Sequence, residues 1–156
     1  MIQLEIPGFG TLRLSHLVSD YNGTLAVDGG LIPGIREKLN SLAGLLEVHI
    51  VTADTFGIAR RELKGVDCHL NILEGKNHDR QKKEYVEKIG SGNVVALGNG
   101  RNDRLMLAAA RIGIAVTEKE GCAIDALKAA DIHVHSALDG LDLLLNPKRL
   151  TATLRV

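Results

Sequence analysis

Four short segments set reactive side chains where a strand would end and a turn or helix begin. In Leu17-Val18-Ser19-Asp20-Tyr21-Asn22-Gly23-Thr24-Leu25 an apolar run delivers a carboxylate to a tight turn. Ligands gather at the carboxyl ends of strands in open α/β sheets, and a carboxylate there suits nucleophilic attack, which divides a hard group transfer into two steps. The Asn22-Gly23 pair is equally the strongest short signal for an ordinary hairpin turn. His49-Ile50-Val51-Thr52-Ala53-Asp54-Thr55 repeats the design with a hydroxyl. Thr52, Asp54 or Thr55 can cap the helix that follows, and the free N–H groups of a helix start suit an anion. Next comes Gln81-Lys82-Lys83-Glu84-Tyr85-Val86, where the apolar residues three and four after Lys82 face a core and leave that lysine at the exposed helix start. Lys83 and Lys76 are its alternatives, on a face that can equally be plain solvated charge. The last segment is Val95-Ala96-Leu97-Gly98-Asn99-Gly100-Arg101-Asn102-Asp103, a glycine loop with Asp103 placed to cap a helix. A dinucleotide fingerprint fits it poorly, since Asp103 replaces the third glycine and the loop comes late in the chain.

Together the first and last segments resemble the opening and closing motifs of the haloacid dehalogenase (HAD) superfamily of phosphotransferases, most closely the soluble relatives of the phosphorylation domain of P-type ATPases. The resemblance covers roughly residues 16–146. It implies a phosphoryl group carried by Asp20 and hydrogen-bonded by Thr52, whose Thr52-Ala53-Asp54 is similar to the Thr-Gly-Asp of those ATPases. Ala53 and Asn102 would lie beside that group, and Lys82 would offset the repulsion between its oxygens and the attacking carboxylate. Mg²⁺, a hard cation that prefers oxygen and retains waters, would be held by Asp20, the backbone carbonyl of Asn22, Asn99 and Asp103. Two positions depart from the family pattern. Asn22 stands where most members carry an acid that protonates the leaving group and then activates water, help worth about 10²–10⁴-fold. Asn99 stands where the loop normally begins Gly-Asp-Gly, and removes one formal negative charge from the metal site. P-type ATPases carry Thr at the place of Asn22, which fits a phosphoenzyme that must persist. The resemblance therefore implies slow phosphatase or phosphotransferase activity, or phosphate binding and regulation without turnover. A two-component receiver also forms an aspartyl-phosphate, but its order of acidic residues does not match.

Positioning these residues requires short strands alternating with helices, and the apolar pattern supplies them. Strands are predicted at 16–20, 48–52, 68–73, 94–97, 112–116 and 131–135, and helices at about 34–46, 55–64, 78–89, 103–111, 121–130 and 138–146. That order predicts an α/β, three-layer Rossmann-like fold with a mostly parallel sheet and helices on both faces. Gln3–Ile6 and Thr11–Leu14 alternate polar with apolar around Pro7-Gly8-Phe9-Gly10, so residues 1–15 read as an antiparallel hairpin ahead of a core over 16–146. One strand–helix unit separates Asp20 from Thr52, and another separates Thr52 from Lys82. That spacing leaves no room for a cap domain, so residues 26–33 form the only flap and 1–156 reads as one domain.

Composition narrows the classes further. The 156 residues are 45% hydrophobic but only 3% aromatic, so Leu, Ile, Val and Ala must build the core. Nineteen basic and nineteen acidic residues cancel, leaving no global field for nucleic acid or an anionic membrane. The opening residues lack the pattern of a signal peptide, and no apolar run is long enough to span a bilayer. The expected setting is cytoplasmic, with a phosphorylated small molecule as substrate and a homo-oligomer selecting it at an open site. Cys68 and Cys122 read as small buried hydrophobes. His133 and His135 share a strand face but lack a third ligand nearby in sequence, and His16, His49, His69 and His78 show no pattern.

Overall fold

The computed structural model describes residues 1–54 and 57–156. Thr55, one of the expected helix caps, and the start of the helix expected at 55–64 lie outside the described residues. The chain opens with β1 (Ile2–Ile6) and β2 (Gly10–Leu14), an antiparallel hairpin with Ile2 opposite Leu14. Six strands then form one parallel sheet: β3 (His16–Ser19), β6 (Glu47–Thr52), β7 (His69–Ile72), β8 (Val94–Gly98), β9 (Ile112–Val116) and β10 (Ile132–Val134). Their spatial order is β10-β9-β8-β3-β6-β7, with β3 central. Between β3 and the first helix lies a second small hairpin, β4 (Ala26–Val27) with β5 (Gly30–Leu31), in the place of the expected flap.

The helices are α1 (Ile35–Ala43), α2 (Ile58–Glu62), α3 (His78–Ile89), α4 (Arg104–Ala109), α5 (Ile124–Ala129), α6 (Ala137–Leu145) and α7 (Pro147–Leu154). They cover both sheet faces, which is why β8 and β9 are apolar and buried at every position. Side-chain alternation divides the core. Leu17, Ile50, Leu97 and Ile114 point to the face packed by Leu39 of α1, Leu141 of α6 and Leu150 of α7. Val18, Val51 and Ala96 point to the other, against Val86 of α3, Met106 and Leu107 of α4 and Ala126 of α5.

Three expectations need correction. The folded core does not stop at residue 146, because Pro147 starts α7, whose Leu150 is fully buried, and Val156 donates its backbone N–H to Pro7. The helix expected from 121 begins at Ile124, since the peptide of Ala123 is held by the carbonyl of Asn99 instead. The cysteines are half-buried, each packed at the margin of a different core cluster, with burial the main reason that both thiols are pushed up in pKa.

Candidate active site

The carboxyl ends of β3, β6 and β8 converge on a cavity of about 240 Å³ lined by Asp20, Asn22, Thr52, Ala53, Lys82 and Asn102, with Leu73, His78, Asn99 and Gly100 completing the wall. Asp20 follows the last residue of β3, and its N–H continues the parallel ladder to Leu97. Thr52 is the last residue of β6 and is buried. Asp54 accepts from the backbone N–H groups of Ala59 and Arg60, so among the described residues it caps α2 while the side chain of Thr52 lines the cavity.

Of the three lysines considered, the fold selects Lys82. It lies on the first turns of α3, only 2% exposed, with its ammonium 2.8 Å from Asp20 Oδ1 and 2.7 Å from Asp103 Oδ1. Lys83 is half-exposed and pairs with Glu87 one turn on, while Lys76 precedes the helix in an exposed loop. Burial opposes the charge on Lys82, but the carboxylates of Asp20 and Asp103 outweigh it and hold the ammonium above its ordinary range. Asp20 is pushed up to about 7, by burial first and by Asp103 second, against the pull of Lys82. One ammonium thus faces two buried carboxylates, which leaves a surplus negative charge at the site when both are ionised.

Asp103 occupies a position that the sequence does not reveal. It is fully buried, and its Oδ2 accepts from the N–H groups of Asn99 and Gly100 at 3.0 and 2.9 Å while its Oδ1 holds Lys82. A Cβ on Gly98 would stand 2.6 Å from the Asp103 side chain, so the strand must end in glycine for the loop to close around that carboxylate. Asn99 joins three segments: its Oδ1 accepts from the Thr24 hydroxyl at 3.2 Å, and its Nδ2 donates to the carbonyl of Gly121 at 3.0 Å. Gly23, at φ 75°, passes so close that a Cβ would meet Asn99 Nδ2 at 2.4 Å. The first and last motifs are therefore packed together, not merely adjacent. Tyr21, buried beside them, donates its hydroxyl to Gly29 and ties down the β4–β5 hairpin.

His78, which shows no pattern in the sequence, also lines the cavity. Its signal was its place four residues before Lys82, one turn back on the same helix face.

No family model matches the chain. An uncharacterized protein of Methanocaldococcus jannaschii is 45% identical over 86 residues, which cover 55% of this chain and 83% of that one. A probable copper-transporting ATPase of Arabidopsis thaliana is 36% identical over 123 residues, 76% of this chain but only 12% of the ATPase. Among solved structures, the cobalt-bound deoxy-D-mannose-octulosonate 8-phosphate phosphatase of Haemophilus influenzae superposes with a TM-score of 0.72 at 13% identity, over 92% of this chain and 94% of that one. The chain has the fold of the HAD-type phosphatases. Its fold is similar to that of soluble phosphatases, and its sequence is similar to a segment of metal-transporting ATPases, of which it spans a small fraction.

HAD chemistry implies a divalent cation, and the donors on the cavity wall fit one. Asp20, Asn22 and Asn99 offer only oxygen ligands of the hard type, and a cation would neutralise the surplus charge around Lys82. Asp103, the fourth expected ligand, gives Oδ2 to the loop N–H groups and Oδ1 to Lys82, and Oδ1 keeps a lone pair for a cation.

Proposed function

We propose that this HAD protein is a slow phosphatase or phosphotransferase that forms an aspartyl-phosphate on Asp20. The observation that carries this reading is the Lys82 ammonium held between Asp20 and Asp103 at the wall of a cavity shared with Thr52. A carboxylate oxygen of Asp20 attacks the phosphorus of a phosphomonoester; the P–O bond to the alcohol breaks and the electron pair leaves on that oxygen. Lys82 offsets the charge that builds between nucleophile and phosphoryl oxygens, the Thr52 hydroxyl donates to one of those oxygens, and the peptide of Ala53 and the amide of Asn102 line the remaining side. Asp103 positions Lys82. Mg²⁺, held by Asp20, the carbonyl of Asn22, Asn99 and Asp103, would supply charge neutralisation at the transferring group. In the second step water attacks the phosphorus and returns Asp20 with release of orthophosphate. Asn22 cannot take the proton from that water, so hydrolysis is the slow step. The substrate is a small phosphomonoester, the setting is cytoplasmic, residues 1–156 act as one domain, and a second copy of the chain narrows the open site.

A second reading, phosphate binding and regulation without turnover, draws its support from Asn22 and from Asn99, whose amide is engaged by Thr24 and Gly121. Beryllofluoride, which imitates an aspartyl-phosphate, tests the site under both. It should raise the melting temperature only when Mg²⁺ is present, and not in Asp20→Asn. A shift that survives that substitution, or that persists equally in EDTA, rejects Asp20 as the acceptor.

A further inference from the structure

At the opposite, amino-terminal edge of the sheet, three side chains that the proposed chemistry does not use point at one another. His16 opens β3, and its backbone partner across the β3–β6 ladder is Glu47; His49 lies two residues further along β6, on the same face. His16 Nδ1 is 3.1 Å from His49 Nε2, and Glu47 Oε2 is 3.7 Å from the first and 3.9 Å from the second. Among the described residues this is the one group of three His, Cys, Asp or Glu side chains whose ligand atoms lie within 4.8 Å of one another.

We propose that His16, Glu47 and His49 form a binding site for a divalent transition-metal ion of the zinc class, separate from the phosphoryl site. Zn–N bonds of about 2.0–2.1 Å in tetrahedral geometry put ligand atoms roughly 3.3 Å apart. The observed separations bracket that value, and the exposed Glu47 carboxylate is free to close the last few tenths of an ångström. The β3–β6 register brings Glu47 beside both imidazoles, and one bound cation would join all three ligand atoms. Imidazole ligands fit zinc, cobalt or nickel better than they fit Mg²⁺. The supporting groups are also in place. His49 Nδ1 meets the Tyr85 hydroxyl at 2.8 Å, so the second ring nitrogen is anchored while Nε2 faces the ligand cluster, and His69 stacks on the same ring at 5.0 Å between centroids. Three protein ligands leave a fourth position open to water. Four residues of strand separate His16 from Asp20, about 13 Å, so one ion cannot serve both sites. The cluster joins β3 to β6 and, through Tyr85, to α3 one turn from Lys82.

Zinc titration of metal-stripped protein in millimolar Mg²⁺, followed by calorimetry, tests the site directly. One zinc ion should bind per chain, and Co²⁺ in its place should show the intense visible bands of tetrahedral coordination. Glu47→Gln, an exposed change that leaves the fold alone, should weaken zinc at least ~10-fold and His16→Gln about 100-fold, while Asp20→Asn should leave zinc unchanged. Absence of zinc binding at micromolar concentrations overturns the proposal. So does binding that both cluster variants retain, or binding that Asp20→Asn abolishes, which would place the ion at the phosphoryl site.

Discussion

Asp20, Lys82 and Asp103 each have a distinct role, and their energetics separate. Removing the ammonium leaves two buried carboxylates facing each other, so Lys82→Met should lower stability by about 3–5 kcal/mol in urea unfolding. Asp20→Asn removes the surplus charge and keeps an acceptor for Lys82, so without divalent cations it should raise the urea midpoint while abolishing phosphoenzyme. If the midpoint instead falls, the burial and the Asp103 repulsion that raise the pKa of Asp20 are not felt in solution. In the proposed mechanism the side chain of Asn22 affects rate alone. It lies at the exposed mouth of the cavity, and Asn22→Asp should accelerate hydrolysis of an activated aryl phosphate by about 10–10³-fold at saturating Mg²⁺, below the full general acid–base range because the pocket is not tuned to an acid. A folded variant with no gain would move the balance to the phosphate-binding reading.

At the scale of elements, the loop after β8 matters most, because it is closed on both sides by its own side chains. Asp103 gathers the N–H groups of Asn99 and Gly100, and Asn99 in turn bridges the turn after β3 and the loop before α5. Asn99→Asp restores the acid usual in the superfamily, but it sets a carboxylate oxygen against the Gly121 carbonyl in place of a donor. It should cost about 1–3 kcal/mol in the metal-free protein, with part recovered in millimolar Mg²⁺, as melting curves with and without the ion would show. Equal loss in both conditions would mean that no cation reaches this side chain.

Across the whole molecule, the sheet has a candidate site at each end, and the amino-terminal end has a pH signature of its own. His49 is buried against His16, Glu47, His69 and Tyr85, and burial, followed by the two histidines, pulls its pKa down to about 4 from an ordinary 6.5. Between those values the unfolded chain binds the proton and the folded chain does not, so stability falls as pH drops from 6.5 towards 4 and is flat above 6.5. Each unit of that gap is worth about 1.4 kcal/mol. In protein freed of divalent cations, His49→Gln should lessen this slope; an unchanged slope would assign the acid sensitivity elsewhere.

The α/β order, the parallel sheet, the opening hairpin and the turn positions of Asp20, Thr52 and Asp103 were all legible in the sequence, because apolar periodicity and glycine placement are local signals. No helix among the described residues is long and apolar enough to cross a membrane. Lys82 could not be separated from Lys83 by sequence, since neighbours on a helix differ only in the direction they face, and that is decided by what α3 packs against. The role of Asp103 was hidden for a related reason: whether a carboxylate faces a cation or an ammonium depends on which helix lies beside it. The His16–Glu47–His49 group was the least visible. Glu47 and His49 declare a shared face by their spacing, but His16 reaches them only through the register between β3 and β6, and that register exists only once the sheet has formed.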